Sequence, residues 1–415
     1  MLKHSITKDG RIILKNFSYL SLMRLFNIGF KFLIIAYLIR VIGEKNYGLI
    51  TWLDSIIQYF LMIINFGFNI YAAKYIVDYK DDKKKLDEIV SSIYILKGIL
   101  LIGSVLCILL ISNFNDFIEY RKLLILFILI GVGEVLFPIW YFQGKENLKP
   151  ATLIVFLSRL ILVICILIFI TTEEDIVTYI VLSVLSSFIM GLFGLFYIIK
   201  NYQIKLKLIP LEKLWYYFKE SFPFFLGRFL SLVFNFGTIF LIGKYCLLEQ
   251  VAGFDLSIKI VMVAVIPFDM LQQAVFPTLA RTLNKIMLKK LIFASIIFGT
   301  LLGILFYFLA DQFILLLGGE TMTIFTPTLQ VLSMLIPFIA LTFILGSCGL
   351  VAFGWYKEYN RSLISTSIIY LIILILLYYF DLVSFWNLIY LRVFGDVLMC
   401  AIRTYYLIDR KVLVL

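Results

Sequence analysis

The chain has 415 residues, 62% of them hydrophobic and only 15% charged, and its 37 Lys and Arg exceed its 26 Asp and Glu to give a formal net charge of +11. Ordinary soluble domains carry roughly 25% charged residues, so this composition excludes a water-soluble fold and points to lipid, where helices must satisfy their own backbone polar groups. A single histidine, His4, and five scattered cysteines with no C-x-x-C pair exclude a zinc centre, a disulfide framework and a Ser-His-Asp arrangement, so neither a metal site, a cofactor nor enzyme chemistry is expected.

Taken in chain order, apolar runs long enough to cross ~30 Å of hydrocarbon predict spans at 17–39, 48–70, 92–112, 123–142, 151–171 and 176–199. A second set follows at 221–243, 254–277, 291–317, 328–350, 363–380 and 384–408, and the run 291–317 has room for a short interfacial piece. The first run begins late, is long and lacks a small-residue cleavage site, unlike a secretory signal. The fold class expected is an all-α polytopic membrane protein of about twelve transmembrane helices in two six-helix bundles around a central cavity. Its expected divisions are 1–199, a cytoplasmic linker 200–220 that lies along the membrane surface, and 221–415.

The loops fix an orientation. If the N-terminus is inside, the segments on that side hold 25 of the 37 basic residues and the outer connections hold five: Arg40, Lys45, Arg121, Lys122 and Lys244. Such a bias is the positive-inside rule, and it puts both termini in the cytoplasm. The net positive charge is thereby assigned to topology and anionic lipid headgroups, and not to nucleic acid. Sliding the second half over the first by 204 residues places Arg24 on Arg228 and Arg40 on Lys244, an expectation of two parallel repeats.

Seven basic residues remain inside the spans: Arg24, Lys31, Lys97, Arg159, Arg228, Lys259 and Arg392. A charge at mid-bilayer costs from ~3 kcal/mol upward, so it must face a partner or a cavity. Lys97 and Arg159 lie close enough to the inner ends to snorkel. Asp255 precedes Lys259 by four residues and Asp396 follows Arg392 by four, the spacing of a helical ion pair. Arg24 and Lys31 share one helix face with no acid on that helix, and Arg228 takes the matching place in the second half. Arg24, Lys31, Arg228 and Lys259 are therefore the candidate ligands of an anionic substrate. Asp54, Glu134 and Asp269 are candidate ion-coupling groups or charge partners.

Three stretches resemble one family. RVIGEKNYG (40–48) is similar to an R-x-L-G-x-x-x-Y-G turn, with Ile42 in place of Leu and with Gly43 and Gly48 permitting a sharp reversal. PIWYFQGKENLK (138–149) is similar to a P-x-W-x-x-Q-G-x-E pattern, in which Trp140 and Tyr141 suit an interfacial anchor, and YIVDYKDDKKKLDEI (75–89) resembles the family's basic inner loop. The family is the Wzx-type polysaccharide (O-antigen or capsule) flippases of the MOP transporter superfamily. The resemblance implies a multi-pass protein of the inner (cytoplasmic) membrane. It implies transfer of an undecaprenyl-diphosphate-linked oligosaccharide repeat unit from the inner to the outer leaflet by alternating access through a cationic cavity. It also implies membrane lipids, a polysaccharide polymerase and a chain-length regulator as partners. The alternatives within the superfamily are a multidrug or cation antiporter, disfavoured by the cationic spans, and a lipid II flippase, which usually has two further spans.

Overall fold

The computed structural model describes the backbone of residues 8–413, and the side chains over that range except those of 8–28, 226–228 and 230–235. No strand occurs among the described residues. Helix α1, Lys8–Asn65, runs 58 residues but is broken at Gly43, whose φ of 79° and ψ of 163° are open to glycine and strained for any L-residue. The predicted spans 17–39 and 48–70 lie on either side of that break. Phe66 and Gly67 both take positive φ and start a second, shorter helix, α2, Phe68–Asp78. Helix α3, Lys83–Ile111, opens on Asp82, whose carboxylate accepts from the Lys85 amide at 3.0 Å. It exposes Ile99, Ile102, Leu106 and Leu110 and buries Ile93, Leu96 and Ile108, a helical pattern whose apolar outer stripe suits hydrocarbon.

The fourth predicted span is three helices: α4, Arg121–Phe127, α5, Ile130–Leu136, and α6, Ile139–Gly144. Two uninterrupted spans follow, α7, Lys149–Phe169, and α8, Ile176–Tyr202. Helices α9, Leu211–Tyr245, and α10, Leu248–Thr282, contain Pro223 and the pair Pro267 and Pro277. The predicted run 291–317 resolves into α11, Lys285–Phe308, and a separate short α12, Ala310–Gly318. A 3-10 turn, Glu320–Phe325, leads into α13, Thr326–Ser333, and α14, Leu335–Phe343, which passes into a π-helix at Ile344–Val351. Helices α15, Tyr356–Tyr379, and α16, Phe385–Asp409, close the set.

Among the described residues nine helices are long and apolar enough to cross a membrane, or ten if Glu320–Ser333 and Leu335–Val351, bent by 43°, form one span. One of the nine is the 50-residue stretch Gly29–Asp78. At ~1.5 Å per residue that stretch is about twice as long as one crossing needs. Dividing it at Gly43, and adding α9 with its partly described side chains, accommodates the twelve predicted spans. The protein is an all-helical polytopic membrane protein.

By packing, the chain divides into two compact units. Unit 1 is Met1–Ile42 with Ile56–Phe229, and unit 2 is Gly43–Ser55 with Leu230–Leu415. The core of unit 1 gathers Phe68, Tyr71, Ile76, Ile89, Trp140, Tyr141 and Phe142. Trp140 is thus fully enclosed in protein and does not form the interfacial anchor its sequence position suggested. The core of unit 2 gathers Leu279, Leu288, Ile344, Cys348 and Leu407. Arg403, read from the sequence as part of the inner C-terminal segment, is buried in that unit. Its guanidinium donates to the Thr342 carbonyl at 2.6 Å and to Ser362 Oγ at 3.2 Å, and it lies over the Tyr359 ring.

Candidate functional site

In unit 2, residues 43–55 pack against α10 and the end of α9. Gly48 sits where a Cβ would come within 1.8 Å of the Leu248 carbonyl, so its role is close approach to α10 and not the reversal expected of it. Next to it, Tyr47 donates its hydroxyl to Asp255 Oδ2 at 2.5 Å and accepts from Lys259 Nζ at 3.1 Å. Lys259 and Asp255 form the expected ion pair one turn apart on α10. A second tie comes from Trp52, whose indole N–H donates to the Phe240 carbonyl at 3.1 Å. Both tyrosine and aspartate are buried, so a phenol and two opposite charges close on one another away from water. The candidate ligand Lys259 therefore has its charge balanced inside its own unit.

The other predicted site residues are distributed as follows. Arg24 and Arg228 lie in α1 and α9 at positions whose side chains are outside those described. Lys31 is on α1 and exposed. Asp54 is half-buried in unit 2. Asp269 accepts from Gln273, one turn later on α10, at 3.0 Å. Glu134 is in unit 1 and accepts from Asn65 Nδ2 at 2.9 Å. Arg392 and Asp396 pair at 3.3 Å as their spacing predicts. No group of three His, Cys, Asp or Glu able to hold a metal occurs among the described residues.

Lys97 is where sequence reasoning goes furthest astray. Far from reaching the inner surface, its side chain is fully buried, and its ammonium donates to the Glu134 carbonyl at 2.9 Å. Its neighbour Tyr94 donates to the Leu136 carbonyl at 3.1 Å. The available signal was Pro138, which lacks an amide hydrogen and so must leave a carbonyl open in the preceding turn.

Ahead of the predicted span 92–112, the start of α3 holds the segment that leads into α9. Asp87 accepts from the Lys205 amide at 2.9 Å and pairs with the Lys207 ammonium at 3.1 Å, and Ser91 accepts from the Lys207 amide at 2.9 Å. Glu88 accepts from Lys213 at 2.5 Å, Lys85 at 2.7 Å and Tyr217 at 2.9 Å. Burial alone would raise the Glu88 carboxyl, but these three donors overcome it and hold the group at about 2.

A family model described as polysaccharide biosynthesis protein matches residues 13–283. A protein named "Putative O-antigen transporter" from Escherichia coli (strain K12) is 24% identical over 375 residues, which are 87% of this chain and 88% of that one. Among solved structures, an inward-facing multidrug resistance MATE family transporter of the MOP superfamily aligns with a TM-score of 0.75 over 94% of both chains, at 14% identity. A lipid II flippase in an inward closed conformation aligns with a TM-score of 0.68 over 92% of this chain and 87% of that one, also at 14% identity. At such identity the two structures establish the fold alone, and the family model establishes the lineage. With well over half of its residues matched, the chain belongs to the polysaccharide biosynthesis protein family.

Proposed function

We propose that the chain is a flippase that carries an undecaprenyl-diphosphate-linked oligosaccharide repeat unit from the inner to the outer leaflet of the cytoplasmic membrane. Membership of the polysaccharide biosynthesis family, together with a relative named as an O-antigen transporter, is the observation that carries this reading. The multidrug alternative rests on fold likeness alone. An antiporter of organic cations calls for acidic side chains in its path, whereas Arg24, Lys31 and Arg228 are cations placed inside spans.

Chemically, a diphosphate and its sugars cannot cross hydrocarbon unaided, because their polar groups would lose every hydrogen bond to water. Guanidinium and ammonium groups replace that hydration with charge-assisted bonds. In the proposed cycle Arg24, Lys31 and Arg228 hold the diphosphate, and both termini stay in the cytoplasm. Lys259 serves differently: with Asp255 it fastens Tyr47, and release of that fastening lets residues 43–55 leave α10 as access alternates. The polymerase and chain-length regulator of the same polymer are the partners that would use the delivered unit.

The test is complementation of a strain whose own O-antigen flippase gene is deleted, expressing this chain beside its native glycosyltransferases. Export is read as the ladder of polymer-bearing lipopolysaccharide on a gel. Lys31→Glu is expected to abolish the ladder at normal membrane protein level. A full ladder from Lys31→Glu would remove that lysine from the mechanism, and no ladder from the unaltered chain would count against the function itself.

A further inference from the structure

The segment that joins α8 to α9 lies on the outward stripe of α3. That stripe is Ile99, Ile102, Leu106 and Leu110, the exposed apolar side of a helix long enough to cross the membrane. Followed back toward the start of α3 in steps of three and four residues, it reaches Ile95, then Ser91 with Ser92, then Glu88. Ser91 and Ser92 are buried, and Ser91 carries the segment. The amides of Lys205 and Lys207 donate to Asp87 Oδ1 and Ser91 Oγ, each at 2.9 Å. Amides two residues apart thus meet acceptors one turn apart. One turn rises ~5.4 Å and two residues of stretched chain span ~6.6 Å, so the segment fits along the helix as a strap.

What the strap turns outward is apolar. Leu206, Leu211 and Trp215 are exposed, and Leu208 is 97% exposed, the highest value of any large hydrophobic side chain among the described residues. Behind them Ile204, Leu214 and Tyr217 are buried. Water disfavours four such side chains side by side, whereas they prolong a stripe that already suits hydrocarbon. Tryptophan and lysine among leucines at the end of a span suit the headgroup layer. Lysines in such elements ordinarily seek anionic lipid. Here they have protein partners: Lys207 Nζ pairs with Asp87 at 3.1 Å and Lys213 Nζ with Glu88 at 2.5 Å. Lys83 Nζ donates to Gln203 at 2.9 Å at the head of the strap. Both carboxylates are largely buried and both ammoniums half-exposed, so fixed acids draw the lysines in.

We infer that residues 206–215 form a lipid contact of uncharged character. Leu206, Leu208, Leu211 and Trp215 enter the boundary between headgroups and acyl chains, while Asp87 and Glu88 take the place of anionic headgroups for Lys207 and Lys213. The contact therefore needs no acidic lipid, and it is independent of what the chain transports.

The test places the full-length protein in nanodiscs of phosphatidylcholine, alone or mixed with phosphatidylglycerol, with part of the lipid brominated on the acyl chain near the headgroup. Quenching of Trp215 is read as the difference between the unaltered protein and Trp215→Phe. It is expected to be strong, equal in the two mixtures and insensitive to salt. Asp87→Asn combined with Glu88→Gln frees both lysines. Quenching should then fall in phosphatidylcholine alone, return with phosphatidylglycerol and fade again as salt rises. Absence of lipid quenching at Trp215 in both mixtures would put water or another protein at this face and overturn the contact. Quenching of the unaltered protein that depends on phosphatidylglycerol would overturn the part given to the two acids. A double variant that behaves as the unaltered protein does would overturn it too. If the double variant does not fold, Glu88→Gln alone is compared: a smaller loss of the same kind is expected, and none overturns the proposal.

Discussion

Tyr47→Phe isolates one oxygen atom. The ring is 3% exposed and keeps its packing, while the hydroxyl that bridges Asp255 and Lys259 disappears. A hydrogen bond to a charged group contributes ~1.5–3 kcal/mol. Asp255 and Lys259 still have each other, so the loss falls at the lower end, about 1.5 kcal/mol, or roughly tenfold in the equilibrium that seats residues 43–55 on α10. Native-state hydrogen exchange measured by mass spectrometry on the purified protein reads that equilibrium directly. Amides of 43–55 should exchange about tenfold faster in Tyr47→Phe, at the limit set by the equilibrium, while those of α11 and α16 stay as they were. Unchanged exchange in 43–55 would refute the latch. A uniform rise throughout unit 2 would refute it too, by showing a general loss of stability in place of local release.

Two other outcomes are expected. Glu88 sits at about 2, below its ordinary 4.5, so its hold on Lys213 is complete above the ordinary value and fades only as pH falls toward 2. Proteolytic cleavage within 203–213 should therefore be slow and flat from pH 5 to 8 in the unaltered protein and faster throughout in Glu88→Gln; equal rates would remove the clamp. For orientation, a maleimide that cannot cross the membrane should label Lys45→Cys in intact cells and Lys84→Cys only after permeabilisation, and the reverse pattern would overturn the assigned topology.

Much of the architecture is legible in the sequence because lipid enforces it residue by residue. Apolar length locates the helices, and four-residue spacing correctly pairs Asp255 with Lys259 and Arg392 with Asp396. What local rules miss is where a long side chain goes when another helix offers something better than the membrane surface. Lys97 has the reach to snorkel, but it bonds a carbonyl on α5 that Pro138 leaves without a helical donor, and Arg403 likewise turns inward to the Thr342 carbonyl. The breaks of the fourth span escape hydropathy for a related reason: apart from Glu134 the residues of 123–142 are almost all apolar or glycine. Hydropathy therefore runs through both breaks, the one that Pro138 makes between α5 and α6 and the one at Ile128 and Leu129, where amides bond three residues back with no proline to mark it. The affiliation of residues 43–55 with unit 2 is a tertiary fact with no local signature beyond Tyr47 and Gly48.

The proline break also has an evolutionary consequence. Because Lys97 and Tyr94 complete hydrogen bonds that Pro138 and the bend after it leave open, the three positions should be inherited as one unit. A lineage that replaces the proline with an ordinary residue regains the amide and loses the carbonyl that the lysine serves, so the cost of burying the lysine is less well offset and its loss is favoured. The order of loss is constrained as well: the proline must go first, since removing the lysine beforehand strands a carbonyl in the membrane interior, where an unsatisfied backbone group costs several kcal/mol. Descendants of this fold should therefore keep proline and lysine together, or keep neither, with proline-free chains that retain the lysine as the short-lived intermediates.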